Sequence, residues 1–233
     1  MYTLEVVPGV HQISVRYANM FLIVEKSLTL IDTGFRGSTP YVVEVIRQLG
    51  HSPQEIGLII LTHNHLDHFG GLDELRKLTR AKVAAHKADV IGADETIPYP
   101  GGNYITRLLR NPILSPLRRQ LVTGPEGVDV ALQGGEVFEV LGGLQVVPTP
   151  GHTPGSISLY APENKLLFVG DALNKRHDIV RMPLRTVSTD LKQAVASIHR
   201  MAELDVEILC FGHGRPIKEG AKASLQSLLL KIK

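Results

Sequence analysis

The sequence predicts an α/β (α+β) architecture in which two β-sheet layers carry helices on their outer faces. Three observations lead there. Short apolar or alternating segments recur in both halves of the chain, and in each half they give way to segments with apolar residues at helical spacing. No linker separates the halves, so residues 1–233 read as one domain. At 233 residues the chain lies between one and two typical domains. A domain of this size buries roughly 70–75% of its unfolded surface, enough for a core without staples.

Taken in order, residues 11–15 alternate, residues 19–24 are nearly all apolar, and residues 28–31 follow a turn at 25–27. Each reads as a strand, the third closed by Asp32-Thr33-Gly34. Ser38-Thr39-Pro40 offers a capping hydroxyl and a proline at the first helical position; Val42, Val43, Ile46 and Leu49 then form one stripe, ended by Gly50. Residues 58–61 form a short buried strand that runs into Thr62-His63-Asn64-His65-Leu66-Asp67-His68. After Gly70-Gly71 come a helix through Leu72, Leu75 and Leu78 and a strand at 82–85.

Residues 92–134 interrupt the pattern with many glycines and prolines, as a lid or binding insertion does, with room for a short helix at 104–109. Beyond it, strands are expected at 137–140, 144–148, 156–160 and 165–169. A helix at about 190–204, capped by Ser188 or Thr189, precedes a strand at 208–211 and a terminal helix at 221–231. The apolar stripe of that last helix, Leu225, Leu228 and Leu229, suits packing on a sheet or the face of a homodimer equally well.

Composition excludes several function classes. Apolar residues make up 43% and charged residues 21%, the balance of a globular protein and not of a disordered or fibrous one. Lys and Arg number 25 against 23 Asp and Glu, mixed along the chain, and aromatics are 5% with no Trp, which argues against nucleic acid. No run of about 18 apolar residues suggests a membrane span. Residues 1–15 lack the cationic start and apolar block of a signal peptide, and Cys210 is the single cysteine, so a cytoplasmic location is expected. Cys210 sits in an apolar strand with no adjacent base and reads as a small hydrophobe.

Chemistry concentrates in His63-x-His65-x-Asp67-His68, four metal-competent side chains within six residues at the end of a buried strand. Imidazoles with carboxylate suit zinc, iron or manganese, not calcium. Three further strand ends supply Pro150-Gly151-His152-Thr153-Pro154-Gly155, Gly170-Asp171 and Gly212-His213-Gly214, in which flanking glycines let the backbone approach an ion. Together these seven donors suffice for two metal ions with positions left open.

THNHLDHFGG, PGHTPG, GDA and GHG, in this order and after LIDTG, closely resemble the motifs of the metallo-β-lactamase superfamily. The resemblance runs from about Gly9 to Pro216 and fails only through 92–134. It implies a four-layer αββα sandwich with the site at one edge. It also implies that His63, His65 and His152 hold a first metal and Asp67, His68 and His213 a second, with Asp171 bridging and Asp32 orienting a ligand histidine. Two divalent ions, zinc before iron or manganese, would then share a hydroxide that attacks the acyl carbon of a small-molecule ester, thioester or lactone, with Asp67 orienting the nucleophile.

Asp171 argues against true β-lactamases, His65 against the flavodiiron branch, and the 20 residues after His213 leave no room for the helical domain of classical glyoxalase II. A mono-iron persulfide dioxygenase draws on the same positions and is the principal alternative. A metal-stabilised binding protein and a nuclease rank behind it. For substrate contacts the candidates are Tyr104 and Arg107 in the insertion, beside Tyr99, Arg110, Arg118 and Arg119, and Asn174, Arg176 and His177 after Asp171. His11, His51, His86 and His199 read as ordinary histidines.

Overall fold

In the computed structural model, which describes residues 1–90, 125 and 127–232, each half of the chain builds its own sheet. The first opens as an antiparallel meander of β1 (Tyr2–Val7), β2 (Val10–Val15), β3 (Ala18–Val24) and β4 (Leu28–Ile31). It continues in parallel through β5 (Ile56–Ile60), β6 (Lys82–His86) and β7 (Val130–Leu132). The second sheet contains β8 (Val137–Phe138), β9 (Leu144–Pro148), β10 (Ile157–Ala161), β11 (Leu166–Gly170) and β14 (Ile208–Phe211), in the order β14-β11-β10-β9-β8. Within it β11 and β14 run parallel and the other neighbours antiparallel. A separate hairpin, β12 (Asn174–Arg176) and β13 (Ile179–Arg181), follows β11.

Strand alternation divides the apolar residues among three cores. Phe21, Ile23 and Ile31 point into a core between the sheets, where they meet Val146, Leu159, Phe168 and Cys210; the Phe21 and Phe168 rings meet edge to face at 5.0 Å. Their neighbours Met20, Leu22 and Leu30 point the other way, onto α1 (Thr39–Gln48) and α3 (Leu72–Leu78) through Val42, Val45, Ile46, Leu72 and Leu75. On the second sheet, Leu167, Val169, Leu209 and Phe211 carry α4 (Leu191–Glu203) and α5 (Ala221–Leu229) through Ile198, Met201, Leu225 and Leu228. The result is the four-layer αββα sandwich. Burying each of these Leu, Ile or Phe side chains contributes roughly 1.5–3 kcal/mol. The stripe on α5 is thereby used inside the chain.

Some local expectations change. Ser38 makes no capping bond to α1, and its hydroxyl is buried without a partner among the described residues. Asp190, not Ser188 or Thr189, caps α4 by accepting from the Lys192 and Gln193 N–H groups. The end of the stretch read as an irregular insertion forms the edge strand β7. The helix expected at 104–109 lies outside the described residues. Among those described, no helix is long and apolar enough to cross a membrane.

Candidate metal centre

Five strands end at one edge of the sandwich, and each delivers a polar side chain there. β4 delivers Asp32; β5 leads into Thr62, His63 and His65, and onward to Asp67 and His68 on the single-turn helix α2 (Leu66–Phe69); β9 delivers His152, β11 Asp171 and β14 His213. Parallel pairing of β4 with β5 and of β11 with β14 puts these ends side by side.

The seven donors read from the sequence come together as three overlapping groups: His63, His65 and His152; His63, His68 and Asp171; Asp67, His68 and His213. Within each group the candidate donor atoms lie within 4.8 Å of one another. His152 Nε2 stands 2.9 Å from His65 Nδ1. Asp171 Oδ2 accepts from His213 Nε2 at 3.1 Å and lies 3.5 Å from His152 Nε2, while its Oδ1 lies 3.6 Å from His68 Nε2. Asp67 Oδ2 sits 3.5 Å from His213 Nε2 and 3.8 Å from His68 Nε2. Gly212 makes this crowding possible, because a Cβ there would stand 2.2 Å from Asp171 Oδ1.

Asp32 organises two of the histidines. Its Oδ2 accepts from His68 Nδ1 at 2.8 Å and from the Thr62 hydroxyl at 2.8 Å, and its Oδ1 accepts from the Thr62 N–H at 2.8 Å. Thr62 Oγ1 lies 3.0 Å from His63 Nδ1 and, with its own hydrogen given to Asp32, accepts from it. Both rings therefore carry hydrogen on Nδ1 and turn Nε2 into the cluster. Asp32 holds this place at φ +58°, a left-handed conformation uncommon for a non-glycine residue. His152 Nδ1 meets Ser188 Oγ at 3.2 Å, and Ser188 in turn donates to the Leu184 carbonyl. His213 Nδ1 donates to the Tyr17 carbonyl at 2.8 Å.

Charge is distributed unevenly. Burial and the neighbouring histidines hold His63 well below the ordinary imidazole range, and burial pushes His152 down to about 3. Burial lowers His65 as well. Burial also opposes a charged His68, but Asp171, Asp32 and Asp67 outweigh it and raise His68 to about 9. His213 is raised by Asp171 against the effect of burial. Asp171 is held well below the carboxylate range, because His68, His213 and His152 overcome its desolvation.

His63 Nε2, His68 Nε2 and Asp171 Oδ1 are buried and have no hydrogen-bond partner among the described residues. An uncompensated buried polar atom costs about 1–3 kcal/mol, and three converging on one point fit a cation held between them. Nitrogen and carboxylate donors of this kind suit zinc, iron or manganese.

The remaining candidates are not members of the three donor groups. Asn174 is half-buried and donates to the Met182 carbonyl within its hairpin, and Arg176 and His177 are exposed on that hairpin. Tyr104 and Arg107 lie outside the described residues, as do Tyr99, Arg110, Arg118 and Arg119. Sequence reasoning does not single out Thr62 and Ser188 as supports of histidines. Thr62 carries a signal, standing directly before His63; Ser188 carries none, being 36 residues from the histidine it supports.

A family model described as the Metallo-beta-lactamase superfamily matches residues 13–213. The probable metallo-hydrolase YflN of Bacillus subtilis (strain 168) is 30% identical over 229 residues, covering 91% of this chain and 86% of that protein. An N-acyl homoserine lactonase of Bacillus cereus is 26% identical over 188 residues, covering 78% of this chain and 65% of that protein. The crystal structure of a metallo-beta-lactamase family protein from Thermus thermophilus superposes with a TM-score of 0.73 at 25% identity, covering 97% of this chain and 80% of that one.

Proposed function

The chain belongs to the metallo-beta-lactamase superfamily, and from that premise we propose that it uses two divalent metal ions, zinc first among them, to hydrolyse an ester, thioester or lactone of a small molecule. The observation that carries this reading is the convergence of His63 Nε2, His68 Nε2 and Asp171 Oδ1, buried without partners among the described residues, inside three overlapping donor groups. In this reading His63, His65 and His152 would hold one ion and Asp67, His68 and His213 the other, with Asp171 available to both. Such ions supply a nucleophile at neutral pH by acidifying water and draw electron density from the carbonyl under attack. The lactonase relative favours including lactones among the substrates.

The chain's own residues do the rest. Asp32 and Thr62 fix the rings of His68 and His63 with Nε2 inward. Asp67, only partly buried and 3.5 Å from His213 Nε2, is the residue assigned in this reading to orient the attacking water. Burial of His63 and His152 keeps bulk water from competing for their lone pairs.

Elemental analysis of protein purified without added metal, followed by a panel of thioesters, lactones and β-lactams, tests the proposal. Close to two zinc ions per chain with turnover of an acyl substrate is the expected result. About one iron per chain, with oxygen uptake on a persulfide, would overturn it in favour of the mono-iron dioxygenase.

A further inference from the structure

Asp89 is a buried carboxylate with no part in the chemistry above. It lies three residues beyond the end of β6, in a turn closed by its own N–H to the His86 carbonyl, and is 1% exposed. Its Oδ2 accepts from the Asn64 N–H at 3.1 Å and from the Thr153 hydroxyl at 2.5 Å, and its Oδ1 accepts from the Gly155 N–H at 2.7 Å. Asn64 is the residue between His63 and His65; Thr153 and Gly155 belong to the turn that begins with His152. One side chain thus ties a loop of the first sheet to a loop of the second, and those two loops carry all three members of one donor group.

The surroundings are shaped to this contact. Gly155 is glycine where a Cβ would stand 2.5 Å from Asp89 Cγ. Ser156 Oγ braces the turn by accepting from the Thr153 N–H at 2.9 Å. Burial pushes the Asp89 carboxyl up to about 6 against its three hydrogen bonds, with no cation contributing. A carboxylate buried at that cost is kept for the donors it gathers.

We propose that Asp89 is a positioning residue that sets the spacing between the 63–65 loop and the 152–155 turn, so that His63, His65 and His152 close on a single cation. The proposal rests on reading that group as a metal site. It assigns Asp89 no role in holding Asp67, His68 and His213 together. Asparagine at this position would turn an NH₂ toward one of the three donors and leave that bond unmade.

The test uses cobalt(II) added to metal-depleted protein, read by visible absorption and by competition with a chelator, in two backgrounds. Asp67→Ala with His213→Ala leaves the first group alone, and His65→Ala with His152→Ala leaves the second. Asp89→Asn is expected to weaken cobalt binding about tenfold, and to shift the absorption band, in the first background only. Thr153→Val, which keeps both backbone bonds to Asp89, is expected to act in the same direction by about threefold. An unchanged affinity in the first background, or an equal loss in both, overturns the proposal and leaves the metal reading intact. Failure of the parent protein to bind cobalt at all would overturn both.

Discussion

His63, His65 and His152 form a donor group with no carboxylate of its own, and burial lowers all three below the ordinary imidazole range. Asp67, His68 and His213 form a second group a few ångströms away in which carboxylates raise both imidazoles, His68 to about 9. The first group offers lone pairs at neutral pH with no proton to lose. In the second, His68 is raised far enough to carry a charge at neutral pH, which offsets Asp171 and Asp32. Burial alone does not separate the groups, since His63 and His68 are both almost completely inaccessible; the carboxylates around His68 do.

The strongest way to break this contrast is to remove the residue both groups face. Asp171→Ala should lower turnover by at least about 10²–10³-fold with the circular dichroism unchanged, and full turnover would show that the groups work apart. Asp32→Asn comes next. It withdraws the charge facing His68 Nδ1, so chelator competition should find the second group weakened about 10–100-fold and the first less affected.

Proton release sharpens the comparison further. At pH 7.5 an ion entering the second group must displace the His68 proton, whereas one entering the first displaces none from His63 or His152. Calorimetry in buffers of different ionisation enthalpy should therefore find more protons leaving with the second ion than with the first. In the metal-free protein, His68 titrates at about 9 folded against 6.5 unfolded. Its contribution to stability is complete below pH 6.5 and lost as pH rises through 9. Melting temperature should fall across that window in the wild type and fall less in Asp32→Asn. The smallest expected effect is that of Ser188→Ala, which removes one 3.2 Å contact to His152 and should weaken the first group by a few-fold.

What the sequence makes legible follows the same division. His63, His65, Asp67 and His68 announce themselves because they lie within six residues. His152, Asp171 and His213 are legible as strand ends flanked by glycine, a weak signal singly and a strong one in company. The strand edges 28–31, 144–148 and 208–211 match the structure because apolar runs between turn residues have sharp limits. Less legible is whatever depends on partners far along the chain. Asp89 gathers donors 25, 64 and 66 residues away, and nothing around it in the sequence distinguishes it from a turn aspartate. The α4 cap falls at an unexpected residue for a related reason: the Ser188 hydroxyl is engaged by His152 and Leu184, which leaves the cap to Asp190.

The bond from His213 Nδ1 to the Tyr17 carbonyl spans 196 residues, and the Asn19 amide reaches the Phe211 carbonyl across 192. The turn between β2 and β3 thus completes the socket of the chain's last histidine. Contacts of such separation carry the loop-closure entropy of a long intervening chain. During synthesis the chain has all three histidines of the first group once residue 152 has emerged, and it lacks the second group until β14 follows. Order of emergence from the ribosome therefore presents the full donor set of the first group before that of the second.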